Sequence, residues 1–140
     1  MDGPLGQDLE RKVTDSEMSS LIEFHGHIDH VACYITSLDV LVMCSDHEGL
    51  PMTLLEAMAL GVPVVGHNVG AMRALLGNNV GGLLSEEHSS TYYAKGVQEL
   101  LADKKLLCSV IRDGQKAITK DYSAGVNKGK TLNLYKSILR

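Results

Sequence analysis

Short apolar runs and longer amphipathic stretches take turns along this chain. "DVLVMCS" (Asp39 to Ser45), "VPVVGH" (Val62 to His67) and "GGLLS" (Gly81 to Ser85) are dense in aliphatic residues. Runs of that length and type form strands covered on both faces. "LIEFHG" (Leu21 to Gly26) is a further short apolar run ended by glycine, and it reads as the first strand of the series. Between and after the runs lie helix patterns: "PLGQDLERKV", "HVACYITSL", "PMTLLEAMALG" and "AMRALLG", then Tyr92 to Leu101, Lys104 to Thr119 and Lys128 to Leu139. In "PMTLLEAMALG" the proline suits a first helical turn and Gly61 a helix end.

Strands that alternate with helices predict an α/β fold, a Rossmann-like three-layer αβα arrangement around a mostly parallel sheet of about four strands. One domain over residues 1–140 is expected, with C-terminal helices from about residue 89.

Composition narrows the partners. Thirteen basic against seventeen acidic residues give a net charge of −4, so nucleic acid is not an expected partner. The three cysteines, Cys33, Cys44 and Cys108, are widely spaced and suggest neither a disulfide framework nor a zinc site; they read as core residues. The N-terminal stretch has no apolar signal core and no run is long enough to span a bilayer, so the chain reads as cytoplasmic. The basic run "NKGKTLNLYKSILR" reads as a solvated helix face, with docking to a partner domain or peripheral association at a membrane surface as the second reading.

The chemistry concentrates in "SDHEGLPMTLLEAMALG". In doubly wound sheets ligands sit at the carboxyl ends of the strands, where helix N-termini offer unpaired N–H groups to phosphates. Glu48 falls on the loop leaving the strand, and Glu56 falls inside the following helix. Gly49 permits close approach of a ligand to the backbone, and the N–H groups of Met52 and Thr53 are free for a diphosphate. A glutamate before a helix also has a plainer reading, as a favourable charge at the dipole end worth about 0.3–1 kcal/mol. The histidines His25, His27 and His30 lack the ligand set of a metal centre, and no metal or other cofactor is expected.

Taken with "FHGHI", "LDVLVMCS", "LEAMALGVPVV", "VGGLL" and the N-terminal "DGPLGQDLE", this stretch resembles the nucleotide-sugar-binding C-terminal half of GT-B glycosyltransferases of the retaining family 4, the glycosyl transferases group 1. The family's E-x7-E signature matches Glu48 and Glu56. The resemblance implies a donor site for a nucleotide-diphosphate sugar. In it Glu48 lies by the sugar as the catalytic residue, Glu56 binds the ribose, and the backbone of Gly49, Leu50, Pro51, Met52 and Thr53 holds the phosphates. Gly26, His27 and Ile28 border the base.

Two departures from the family pattern carry consequences. Arg73 and Ala74 stand where the family has Pro-Glu. The "DGPL" stretch, which in the family follows the second strand, stands at the chain's start, so the resemblance implies that the first two strands, a basic pair for the diphosphate and the N-terminal acceptor domain lie outside these residues. The run Leu21 to Gly26 is then expected to close onto the next strand or to pair in trans, including in a homo-oligomer. Two functions follow: sugar transfer with retention, for which this chain supplies the donor-binding half and is inactive alone, or a non-catalytic domain that only binds nucleotide or a protein partner.

Overall fold

The computed structural model describes residues 4–139. Asp2 and Gly3, the start of the "DGPL" stretch, lie outside the described residues. The chain divides between Tyr34 and Ile35 into two compact units. In the first, α1 (Gly6–Thr14) is a mostly polar helix that carries an exposed Asp8–Arg11 pair at 2.6 Å. The helix α2 (Val31–Thr36) spans the division.

The expected strand at Leu21 to Gly26 is not one. These residues are exposed, irregular chain outside the sheet, with Leu21 77% and Phe24 40% exposed. Apolar residues make a strand only where a ladder neighbour accepts their backbone groups, and none pairs with this segment among the described residues. The sheet therefore has three strands instead of about four, and Leu21 to Gly26 does not close onto the next strand.

The second unit holds that sheet: β1 (Leu41–Met43), β2 (Val64–His67) and β3 (Gly82–Ser85), parallel throughout and ordered β1-β2-β3. Val65 pairs with Val42 on one side and with Leu83 on the other. The helices α3 (Met52–Leu60), α4 (Met72–Leu76), α5 (Ser90–Ala102) and α6 (Lys104–Ala117) pack against it, and α7 (Ala124–Ile138) follows them in the chain. The adjacent residues Val64 and Val65 are 0% and 1% exposed, which shows that both faces of the central strand are covered. Val64 packs with Leu54, Met58, Met72 and Leu76, from α3 and α4. Val65 packs with Leu83, Tyr93, Leu100 and Val110, and so belongs to the layer of α5 and α6. This is the three-layer αβα plan, and a pair of fully buried valines contributes about 3–6 kcal/mol by burial alone.

Local chemistry sets the boundaries. Pro51, at φ −72 and ψ 111, is the residue before α3 and not part of its first turn, while Gly61, at φ 80, ends the helix in the left-handed conformation. Ser89, Asp103 and Ser123 accept hydrogen bonds from the first turns of α5, α6 and α7. The expected helix through Thr119 ends sooner, at Ala117, and the chain passes through a π-helical turn at Ile118–Tyr122. The layer of α6 comes so near the sheet that a Cβ on Gly114 would stand 2.7 Å from the Cα of Gly81. Among the described residues no helix is long and apolar enough to cross a membrane.

Candidate functional site

The loop from Cys44 to Pro51 leaves the carboxyl end of β1 and enters α3. Pro51 and Leu54 are buried and anchor the helix start, whereas Gly49, Leu50, Met52, Thr53 and Glu56 are exposed. Glu48 is partly buried. No side chain caps the N-terminus of α3, so the N–H groups of its first turn, which have no partner inside a helix, face outward at the dipole's positive end. Glu48 precedes that terminus and Glu56 lies just beyond its first turn, on the exposed side opposite Leu54, Ala57 and Met58. Glu56 thus has the geometry of a solvent-facing helix residue, and the exposure is equally that of a group free to meet a ligand.

The loop's backbone is fixed from below by the turn after β2. Ala71 N–H donates to the Gly49 carbonyl at 3.2 Å, and Gly70, at φ +51, lies against the Glu48 carbonyl so closely that no Cβ fits between them. Val69 N–H and Met72 N–H close the same turn on the carbonyls of His67 and Val69.

Arg73, the departure from the family pattern, is taken up locally. Its guanidinium donates to both oxygens of Glu86 at 3.3 and 3.2 Å and to Asn68 Oδ1 at 3.2 Å, and Asn68 Nδ2 donates to Glu86 at 2.7 Å. The triad joins the ends of β2 and β3. It is exposed, so its worth is modest, but it occupies the cation nearest in sequence to the site.

Another group at the same sheet edge was not singled out in the sequence. His88 Nε2 lies 3.1 Å from Asp46 Oδ1, its Nδ1 2.6 Å from the Tyr93 hydroxyl, and its ring 4.6 Å from that of His67. His67 Nδ1 is buried with no hydrogen-bond partner. Burial raises the Tyr93 phenol above its ordinary value, with the charges of Cys44 and Asp46 and a hydrogen bond to Cys44 adding to it. Partial desolvation likewise raises the Cys44 thiol, against the opposing effect of a hydrogen bond shared with Tyr93. His67 ends β2 and His88 comes shortly after the end of β3, and that pattern was the available signal.

Gly26, His27 and Ile28 lie in the first unit. Gly26 is exposed at φ +63 and Ile28 is half-buried. His25 and His27 face the carboxylates Glu23 and Asp29 at 3.4 and 3.5 Å. The cysteines, expected in the core, are all exposed; aliphatic residues and methionine fill it instead.

A parallel three-layer sheet with an uncapped helix N-terminus at its carboxyl edge defines a Rossmann-like domain of the GT-B glycosyltransferase type. The chain belongs to the glycosyl transferases group 1, whose family model matches residues 2–103. It is 29% identical over 140 residues to 2-deoxystreptamine glucosyltransferase of Streptomyces kanamyceticus, covering 99% of this chain and 36% of that protein. It is 34% identical over 108 residues to D-inositol 3-phosphate glycosyltransferase of Geodermatophilus obscurus, covering 76% of this chain and 24% of that one. The sucrose-phosphate synthase of Thermosynechococcus elongatus superimposes with a TM-score of 0.87 at 25% identity, over 99% of this chain and 35% of that one. Anabaena HepE, solved in complex with UDP, shares the fold with a TM-score of 0.85 at 19% identity, over 94% of this chain and 36% of that one. The chain thus spans about a quarter to a third of the length of these proteins.

Proposed function

We propose that this chain supplies the donor-binding part of a retaining, family 4-type glycosyltransferase. Its donor is a nucleotide-diphosphate sugar. The observation that carries the reading is the uncapped N-terminus of α3, opening at the carboxyl edge of the sheet between Glu48 and Glu56. Phosphate oxygens accept from the N–H groups of a first helical turn and gain from the dipole. The backbone from Gly49 through Leu50, Pro51, Met52 and Thr53 then follows the diphosphate, Glu56 accepts from the ribose hydroxyls, and Glu48 stands by the sugar. As the sugar departs, the charge growing on the diphosphate is met by N–H groups already oriented toward it, which avoids a reorganisation cost in the transition state.

The site needs no metal in this reading, because backbone donors and the helix dipole do the anion binding. The acceptor is held by further polypeptide of the kind the longer relatives contain. Orienting an acceptor against the anomeric carbon supplies about 7–11 kcal/mol of a barrier, so the 140 residues by themselves bind donor and do not transfer it. The reaction takes place in the cytoplasm.

Calorimetric titration of the chain with UDP, GDP and ADP tests the reading. Binding of one of the three, weakened by Glu56→Gln, is expected. A folded sample that takes up none of them at millimolar concentration contradicts it.

A further inference from the structure

We propose that His88 is a positioning residue for the donor loop, holding it through Asp46, two residues before Glu48. The proposal rests on the donor-site reading above only for its consequence in binding; the fixing of the loop stands on geometry.

A carboxylate only accepts, so at 3.1 Å from Asp46 Oδ1 the His88 Nε2 must carry the proton. In the neutral ring that leaves a lone pair on Nδ1, and the Tyr93 hydroxyl at 2.6 Å donates into it. The tautomer and the ring's rotation are therefore set together. Tyr93 is itself buried, at 8% exposed, and is carried on α5, a helix packed on the sheet. The chain of contacts runs from a helix packed on the sheet to the donor loop: α5, Tyr93, His88, Asp46, loop. The His67 ring at the end of β2 lies against His88 at 4.6 Å and tilted 37°, and the Tyr93 ring meets it edge-on at 5.8 Å, so two neighbouring rings limit the imidazole's rotation.

The other charged groups nearby are committed elsewhere, and His67, whose Nδ1 has no hydrogen-bond partner, meets His88 ring to ring. Glu87 pairs with Tyr92, Glu86 with Arg73 and Asn68, and Cys44 with Tyr93. Asp46 is the carboxylate that faces His88. With Asp46 held at one end and the Glu48–Gly49 backbone seated on Gly70 and Ala71, the loop is fixed on both sides of the residue that faces the sugar.

The two ring nitrogens have separate tasks, which makes the test specific. His88→Gln keeps a donor near the Nε2 position and so keeps the hold on Asp46. His88→Asn keeps a polar group near the Nδ1 position, facing Tyr93, and loses it. Two-dimensional amide spectra of the full chain report the loop, and titration with UDP, GDP and ADP reports binding. Expected are displaced Glu48 and Gly49 amide signals in His88→Asn and in the surface variant Asp46→Asn, near-normal signals in His88→Gln, and about three- to tenfold weaker binding in the first two, the size of one lost contact of ordinary hydrogen-bond strength. Loop signals unmoved in both His88→Asn and Asp46→Asn overturn the proposal, as does an equal displacement in His88→Gln and His88→Asn. If the loop signals follow the expected pattern while no nucleotide binds, the positioning role holds and the donor-site reading fails. If a nucleotide binds with unchanged affinity in all three variants, the positioning role fails and the donor-site reading holds.

Discussion

Gly70 lies directly against the main chain of Glu48. At φ +51, a Cβ built on Gly70 would overlap the Glu48 carbonyl oxygen and stand 2.8 Å from its carbonyl carbon. The position of the loop glutamate is thus set by a glycine on a different strand's exit. Gly70→Ala meets backbone and not a flexible side-chain tip, and it also demands a left-handed conformation of alanine. We expect a loss of about 1–3 kcal/mol in urea unfolding together with displaced Glu48 and Gly49 amide signals. An unchanged midpoint with an undisturbed loop would show that the contact yields freely.

In the proposed donor site the two glutamates divide the ligand. On that reading Glu56→Gln removes a charge-assisted acceptor for the ribose and should weaken a plain nucleoside diphosphate by about 1.5–3 kcal/mol. Glu48→Gln should leave that ligand nearly unaffected and weaken only the sugar-bearing donor. Titrating both variants with both ligands measures the division, and equal losses for the plain nucleoside diphosphate would refute it.

The approach of α6 to the sheet depends on two glycines. A Cβ on Gly114 would stand 2.7 Å from Gly81 Cα and 3.2 Å from Gly81 N, where only backbone can move, and Gly81 N–H already donates to the Val110 carbonyl at 3.1 Å. Gly114→Ala should therefore cost about 1–3 kcal/mol in denaturant unfolding, although alanine is the better helix former by about 1 kcal/mol. A stabilised variant would mean that the helix stands farther off.

Alkaline pH should act through Tyr93. Its phenol is raised above 10.0 by burial first, so the folded chain prefers the neutral form. The associated stability is fully present below the ordinary phenol value and is lost as pH rises through the higher folded value. Melting temperatures measured from about pH 8 to 12 should fall less steeply in Tyr93→Phe than in the unsubstituted chain. Parallel curves would show that the burial of the hydroxyl is not felt.

Much of the fold is legible in the chain because the three strands are apolar on both faces and short, which only a covered parallel sheet explains. The helix after Pro51 carries its own stop in Gly61. Leu21 to Gly26 misled because apolar content says nothing about whether a ladder partner exists. The cysteines misled because free thiols are buried as a rule, while here valine, leucine and methionine fill the space. The loop glutamates could be read locally, since both flank one helix start. The Asp46, His88 and Tyr93 arrangement could not: its members follow β1, follow β3 and ride on α5, and only the side-by-side order of the strands unites them. The same holds for Arg73, whose partners Asn68 and Glu86 follow two adjacent strands.

The central claim is that the uncapped start of α3 is a diphosphate site, and its most direct test is amide chemical-shift mapping of the full chain during addition of UDP, GDP or ADP. The account predicts that the largest movements fall on Gly49, Met52 and Thr53, with Glu56 responding as the ribose seats. Movements confined to residues outside the Glu48 to Glu56 segment, or none with any of the three nucleotides, would contradict it.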